Sequence, residues 1–145
     1  MADTKPNEIE EVLLLAPRFD AAGLVTCVTT DAGTGEVLMV ASMNDEALRR
    51  TISSGDAWYY SRARRALWRK GESSGHVQRV VELRVDCDQD AIWLRVVQEG
   101  PGACHTGRRS CFYRAAPIGQ LGRVIALEPR DAEHTFDPDA VYKPK

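Results

Sequence analysis

The chain has 145 residues, 43% hydrophobic and 28% charged, and a formal net charge of −2. That length suits one domain with a core of its own, and the charge balance excludes the strong basic field that advertises nucleic acid or anionic lipid. No apolar run approaches a membrane span of roughly 20 residues and no leader pattern opens the chain, so a cytoplasmic protein with reduced cysteines is expected.

Residues 1–8 are polar, and Ile9 to Leu15 is a short apolar stretch ended by Pro17, suited to a helical turn or an arm laid across a neighbour. Leu24–Thr30 and Glu36–Met43 are rich in Val, Leu and Thr and flank a glycine-containing loop, which predicts a β-hairpin. Asn44 then caps a helix: Asp45 and Glu46 stand at its positive end, Ala47, Leu48 and Ile52 give it an apolar side, and Gly55 stops it. Ala57–Ser61 and Ala66–Trp68 read as strand pieces around an arginine-rich corner. Val77–Cys87 reads as a strand with Val81, Leu83, Val85 and Cys87 on one face, and Ile92–Gln98 as its partner across a turn at Asp88–Asp90. A glycine-broken loop follows, then a short strand near Cys111–Ala115, and a weakly patterned tail that is expected to be peripheral from Arg130. The fold class is α+β, strand-dominated, in one domain over residues 1–145.

The stretch Asp86 to Cys111 gathers three of the four cysteines, three aspartates and one of the three histidines. Cys87, Cys104 and Cys111 lack the paired spacing of a closed structural zinc site, and three thiolates leave a tetrahedral zinc one open position, the arrangement of a catalytic metal. The competing reading is three buried small hydrophobes. On a straight strand Asp86 and Asp90 would lie about 13 Å apart, so a shared hard cation such as Mg2+ requires the chain to turn between them. A solvated acidic turn is the plainer account of the same three residues. Asp86 and Cys87 point to opposite faces at the strand's end, which implies two separate metal sites.

Between Ser61 and Ser74 lie Arg62, Arg64, Arg65, Arg69 and Lys70, then Gly71 and the hydroxyls of Ser73 and Ser74. Guanidinium groups and serine hydroxyls suit phosphate, although a solvated basic face has the same composition. Trp58, Tyr59, Tyr60 and Trp68 are mostly core candidates, with one of them free to stack on a ring. His76, His134 and Cys27 receive no role.

The segments PRFDAAGLV, TGEVLMVASMNDEAL, YYSRARRALWRKGESSGHVQ, DCDQD and GACHTGRRSCF together resemble the phosphoribosyl-AMP cyclohydrolases of histidine biosynthesis, over about residues 17–115. Ser42 and Ala63 depart from the family's usual Trp and Ser. The resemblance implies a β-grasp-like roll with short helices, forming an intertwined homodimer. It implies zinc on Cys87, Cys104 and Cys111, with Cys87 given across the dimer, and magnesium on Asp86, Asp88 and Asp90. The implied reaction is hydrolytic opening of the adenine ring of N1-(5-phosphoribosyl)-AMP at the N1–C6 bond, with one zinc per subunit. Arg62, Arg64, Lys70, Ser73 and Ser74 are then the substrate-binding candidates.

The chemistry is coherent from below. The N1 substituent leaves the ring cationic and C6 electrophilic, and a zinc-activated water is a fitting nucleophile at neutral pH. Zinc with three thiolates carries a formal charge of −1 and acidifies its water weakly, so a base is needed. His105, beside Cys104, is the candidate, its alternative being a hydrogen bond to a thiolate. Two other classes compete: a nucleic-acid module built on residues 58–70, and a noncatalytic dimer stapled by zinc. The expected partners are a phosphoribosyl nucleotide and a second copy of the chain, with neither nucleic acid nor membrane.

Overall fold

The structure, a computed structural model, describes residues 11–119 and 122–142; the polar start and the first residues of the apolar stretch 9–15 lie outside them. The expected hairpin is β1 (Val25–Asp31) against β2 (Val37–Met43), antiparallel. Helix α1 (Asp45–Ser54) follows, with the Asn44 Oδ1 accepting the Ala47 N–H at 2.8 Å and Gly55 closing it in the left-handed region at φ 79°. Both caps satisfy backbone groups that the helix itself leaves unpaired. Next come β3 (Trp58–Ser61) and β4 (Ala66–Arg69), then β5 (Gln78–Val85) and β6 (Ala91–Gln98).

These strands form one mixed sheet in the order β4-β3-β2-β1-β6-β5. The pairing of β1 with β6 is parallel, from Thr26 opposite Ala91 to Asp31 opposite Val96. The far edge bends back: Val80 donates to the Gly55 carbonyl at 2.7 Å, Ala57 to Gln78 at 2.9 Å, and Lys70 to Ala57 at 3.0 Å. The segment before β3 therefore bridges the two edge strands and curls the sheet into a roll. No helix among the described residues is long and apolar enough to cross a membrane.

The interior holds Val25, Cys27, Leu38, Met43, Leu48, Ile92, Leu94 and Val96. Burying each large aliphatic side chain contributes about 1.5–3 kcal/mol. One face of β5 departs from the simple alternation. A bulge between Val80 and Glu82 leaves Val81 without a register partner, so the phase shifts. Of Val81, Leu83, Val85 and Cys87, Leu83 alone packs on the core, while Val81, Val85 and Cys87 are exposed.

On the outer side of the sheet, Val40, Val28 and Trp93 sit level with one another across β2, β1 and β6. Val40, Trp93 and Val97 remain 46%, 38% and 49% exposed, an apolar face with nothing laid over it among the described residues.

Beyond the sheet, β7 (Arg114–Ala115) pairs with β8 (Glu128–Pro129), and α2 (Pro138–Val141) ends the described chain. The tail expected to be peripheral is tied back to the glycine-broken loop: Thr135 donates to Gly107 at 2.8 Å, and Arg108 Nε to Ala132 at 3.0 Å.

A polar thread runs through the core. Tyr59, fully buried, has its hydroxyl 2.7 Å from Thr29 Oγ1 and donates to Gln78 Oε1 at 2.6 Å. Gln78 in turn donates to Gln98, and Gln98 to the His76 carbonyl, so β1, β3, β5 and β6 are cross-tied. Tyr59→Phe leaves the Gln78 oxygen buried without its donor. A loss of about 1–3 kcal/mol is expected in chemical denaturation, against little change if that oxygen found water.

Candidate active site

The turn after β5 is built around Asp86. Its carboxylate accepts the Asp90 and Ala91 amides at 2.9 and 3.1 Å, and Gln89 takes φ 58° to reverse the chain. Asp86, Asp88 and Asp90 thereby bring one oxygen each within 4.8 Å of one another, which a straight strand forbids. Burial pushes the Asp86 carboxyl up, but hydrogen bonds from Asp90, from the two amides and from Asp88 outweigh it and hold the group below its usual value. Asp90 bears the cost of the crowding: its bonds to Asp86 and Asp88 raise it to about 6. Three carboxylates in this geometry offer hard oxygen ligands on an open surface.

Gln89 carries no signal in the sequence, yet it is buried at 4% exposure. It accepts the Ala16 amide at 2.7 Å, donates to the Leu14 carbonyl at 3.0 Å, and its own carbonyl accepts from Arg18. The acidic turn thus holds the N-terminal arm in place. Period-based reading cannot find such a residue, because its partners lie more than seventy positions away.

Cys104 and Cys111 come together on the loop after β6. Ala103 and Cys104 donate to Arg109 and Arg108, and the Cys111 amide bonds to Leu38 at 2.8 Å. Ser110, buried, donates to the Val37 carbonyl at 2.6 Å and fixes the loop to β2. The two thiols are neighbours; burial and the nearby Cys104 push Cys111 up to about 12, although the residue keeps an exposed side. Cys104 Sγ also lies 2.9 Å from Thr106 Oγ1. Lys70 points in from β4's end, donating to the Ala103 carbonyl at 2.5 Å. Burial lowers its pKa, partly offset by the two thiols.

Cys87 stands elsewhere. Cys111 is held at Leu38, level with Thr29 and Thr30 of β1, whereas the Asp86–Ala91 turn opens opposite Thr26. Three to four residues of strand, about 10–13 Å, separate those levels. Among the described residues neither Cys87 nor His105 joins Cys104 and Cys111 in a three-ligand cluster. Cys27 is fully buried inside the sheet, and burial pushes its thiol to about 12, the inert role the sequence left for it.

Against the thiol pair opens a cavity of about 450 Å³, within the range of small-molecule sites. His105 and Cys111 line it together with Arg64, Lys70, Ser73 and Ser74. Arg69, Trp68 and Tyr142 also line it; Arg62 does not, and sits exposed on the β3–β4 turn. Of the aromatic residues near the basic stretch, Tyr59 is core, and Trp68 packs on it at 5.1 Å while presenting to the cavity.

The phosphoribosyl-AMP cyclohydrolase family model matches residues 39–113, the span that carries the basic stretch, the acidic turn and the thiol loop. The chain belongs to the phosphoribosyl-AMP cyclohydrolase family. Its curated relatives of that name include one from Rhodopseudomonas palustris strain HaA2, 66% identical over 94% of this chain and 91% of the relative. Another from Nitrobacter winogradskyi is 67% identical over 96% and 94%, and one from Bradyrhizobium diazoefficiens is 66% identical over 94% and 96%. The protein is an enzyme, a hydrolase.

A hard cation on the acidic turn relieves the repulsion among its carboxylates. Magnesium far above its Kd is therefore expected to raise the melting temperature by about 5–10 °C in differential scanning calorimetry. Asp88→Asn should remove that rise and leave unchanged any zinc the protein binds; loss of zinc with it would show one merged site.

Proposed function

We propose that the protein opens the adenine ring of N1-(5-phosphoribosyl)-AMP by hydrolysis at the N1–C6 bond, the third step of histidine biosynthesis. The observation that carries this reading is one cavity lined by His105, Cys111, Arg64, Lys70, Ser73 and Ser74 together, with Cys104 the neighbour of Cys111, in a chain of this family. The cationic side supports binding of the substrate's phosphate groups, with guanidinium and hydroxyl donors in one wall.

Two neighbouring thiols, that of Cys104 buried and that of Cys111 partly exposed, beside a cation, fit a soft dication such as zinc. When held there, zinc supplies Lewis acidity that makes a water easier to deprotonate. An imidazole nitrogen of His105 accepts that proton, the water oxygen bonds to C6, and the N1–C6 bond breaks. The proton passes to N1, leaving a carboxamide on the imidazole and an amidine at the former N1. Arg64 and the two serines orient the nucleotide, and Lys70 counters the negative charge of the thiolates. Asp86, Asp88 and Asp90 fit magnesium, the harder ion.

The third thiolate, Cys87, is proposed to come from a second copy, in an intertwined homodimer of β-grasp-like rolls. Two features support it: Cys87 stands apart from the thiol pair, and the apolar face of Val40, Trp93 and Val97 calls for cover. A cytoplasmic setting accords with thiols that must stay reduced.

An absorbance assay with phosphoribosyl-AMP should show turnover that a zinc chelator abolishes and zinc restores. His105→Asn should keep its zinc and lose on the order of 10²-fold in kcat. Near-normal turnover would remove His105 as the base.

The shared site has its own test. Cys87→Ser and Cys104→Ser homodimers should each be inactive. After subunit exchange about half the dimers are mixed, and each mixed dimer has one intact site, so roughly one quarter of wild-type activity should return. No recovery, with exchange confirmed by native mass spectrometry, would place all three ligands in one chain.

A further inference from the structure

The C-terminal segment lies outside the span matched by the family model, yet it closes onto the loop that carries Cys104, His105 and Cys111. Thr135 donates to the Gly107 carbonyl at 2.8 Å, and Arg108 holds the Ala132 carbonyl at 3.0 Å. Gly107 is what permits this approach. It has φ 91°, and a Cβ there would stand 2.7 Å from the Phe136 oxygen and 2.8 Å from Pro138 Cδ. Phe136 then meets the buried His76 ring edge-on at 4.8 Å. Asp137 caps α2 by accepting the Asp139 amide at 3.0 Å, and the Tyr142 amide closes the turn on Pro138 at 2.8 Å.

The result is that Tyr142 lines the same cavity as His105, Cys111, Lys70 and Ser73. Its ring lies 6.3 Å from Phe136, which backs it from behind. Trp68, the other aromatic residue of the cavity wall, is engaged by Tyr59 at 5.1 Å. Tyr142 is thus an aromatic side chain delivered to the cavity by a braced segment, and only half-buried there.

We propose that Ala132–Tyr142 is a wall of the active site, and that Tyr142 binds the substrate by laying its ring against the purine. The inference rests on the substrate reading above. An N1-substituted adenine carries positive charge, and the electron-rich face of a phenol ring attracts a flat cation as well as stacking on it. Stacking on the imidazole half of the purine, which ring opening leaves intact, is made before and during the reaction, so the contact governs binding more than the chemical step.

The test uses full-length Tyr142→Ala and Tyr142→Phe, with steady-state kinetics on phosphoribosyl-AMP and metal analysis of each protein. Tyr142→Ala should raise KM about tenfold, the scale of one base–aromatic stack, with kcat and zinc content near wild type. Tyr142→Phe should restore the wild-type KM, because the ring face is kept. An unchanged KM in Tyr142→Ala would overturn the contact. A fall in kcat and zinc at constant KM would make the segment a brace alone, and a Phe variant as impaired as Ala would assign the effect to the hydroxyl. Those results leave the substrate reading intact; a wild-type protein inactive on phosphoribosyl-AMP would overturn that reading and this inference together.

Discussion

The parallel pairing of β1 with β6 is the constraint on which the rest of the molecule depends. Two strands sixty residues apart in the chain lie side by side, with Thr26 opposite Ala91 and Asp31 opposite Val96. Everything between them must cross over and return, which places α1, β3 and β4 on one side and β5 on the other. The same pairing sends the two chemical clusters apart. The acidic turn enters β6 at one end, and the thiol loop leaves it at the other. The buried thread from Thr29 through Tyr59 and Gln78 to Gln98 locks this arrangement, since sliding any strand by one residue would bury an unpaired oxygen.

Charge is distributed by the same logic. Where carboxylates are crowded, at Asp86, Asp88 and Asp90, the crowding raises Asp90 and leaves the surface open to a hard cation. Where thiols are crowded, at Cys104 and Cys111, the surroundings are drier and the neighbour is the Lys70 ammonium. The two clusters differ in ligand softness, oxygen in one and sulfur in the other. A buried lysine is costly to keep, and its bond to the Ala103 carbonyl holds its cation beside the Cys104 and Cys111 thiols. That places Lys70 nearer the thiols than a phosphate ligand on an open basic face would stand.

Cavity wall and brace come from different parts of the chain. Arg64, Ser73 and Ser74 arrive from the β4 side, His105 and Cys111 from the loop after β6, and Tyr142 from the last described turn. Gly107 and Gly100 are the points where backbone must pass close. At Gly100 a Cβ would meet the His76 ring at 2.4 Å, and that ring is in turn the platform for Phe136. Packing at a distance from the chemistry thus shapes the cavity.

The sequence by itself determined the pieces whose causes are local. The β1–β2 hairpin follows from β-branched runs around a glycine loop, and α1 follows from Asn44, its first-turn acids and Gly55. The acidic turn follows too, since spacing alone shows that Asp86 and Asp90 meet only if the chain reverses. The resemblance of its motifs, in their order, to those of a known family also pointed to the family. Only tertiary structure decided the rest, because the deciding contacts are distant in the chain. The bulge at Val81 is set by register against β6 and turns an expected core face outward. Gln89 acquires its role from Leu14 and Ala16, Cys104 meets Cys111 while Cys87 stays apart, and the tail reaches the cavity through Gly107. Hydrophobic period and capping read neighbours a few residues away; which side chains share a cavity is fixed by how the sheet closes.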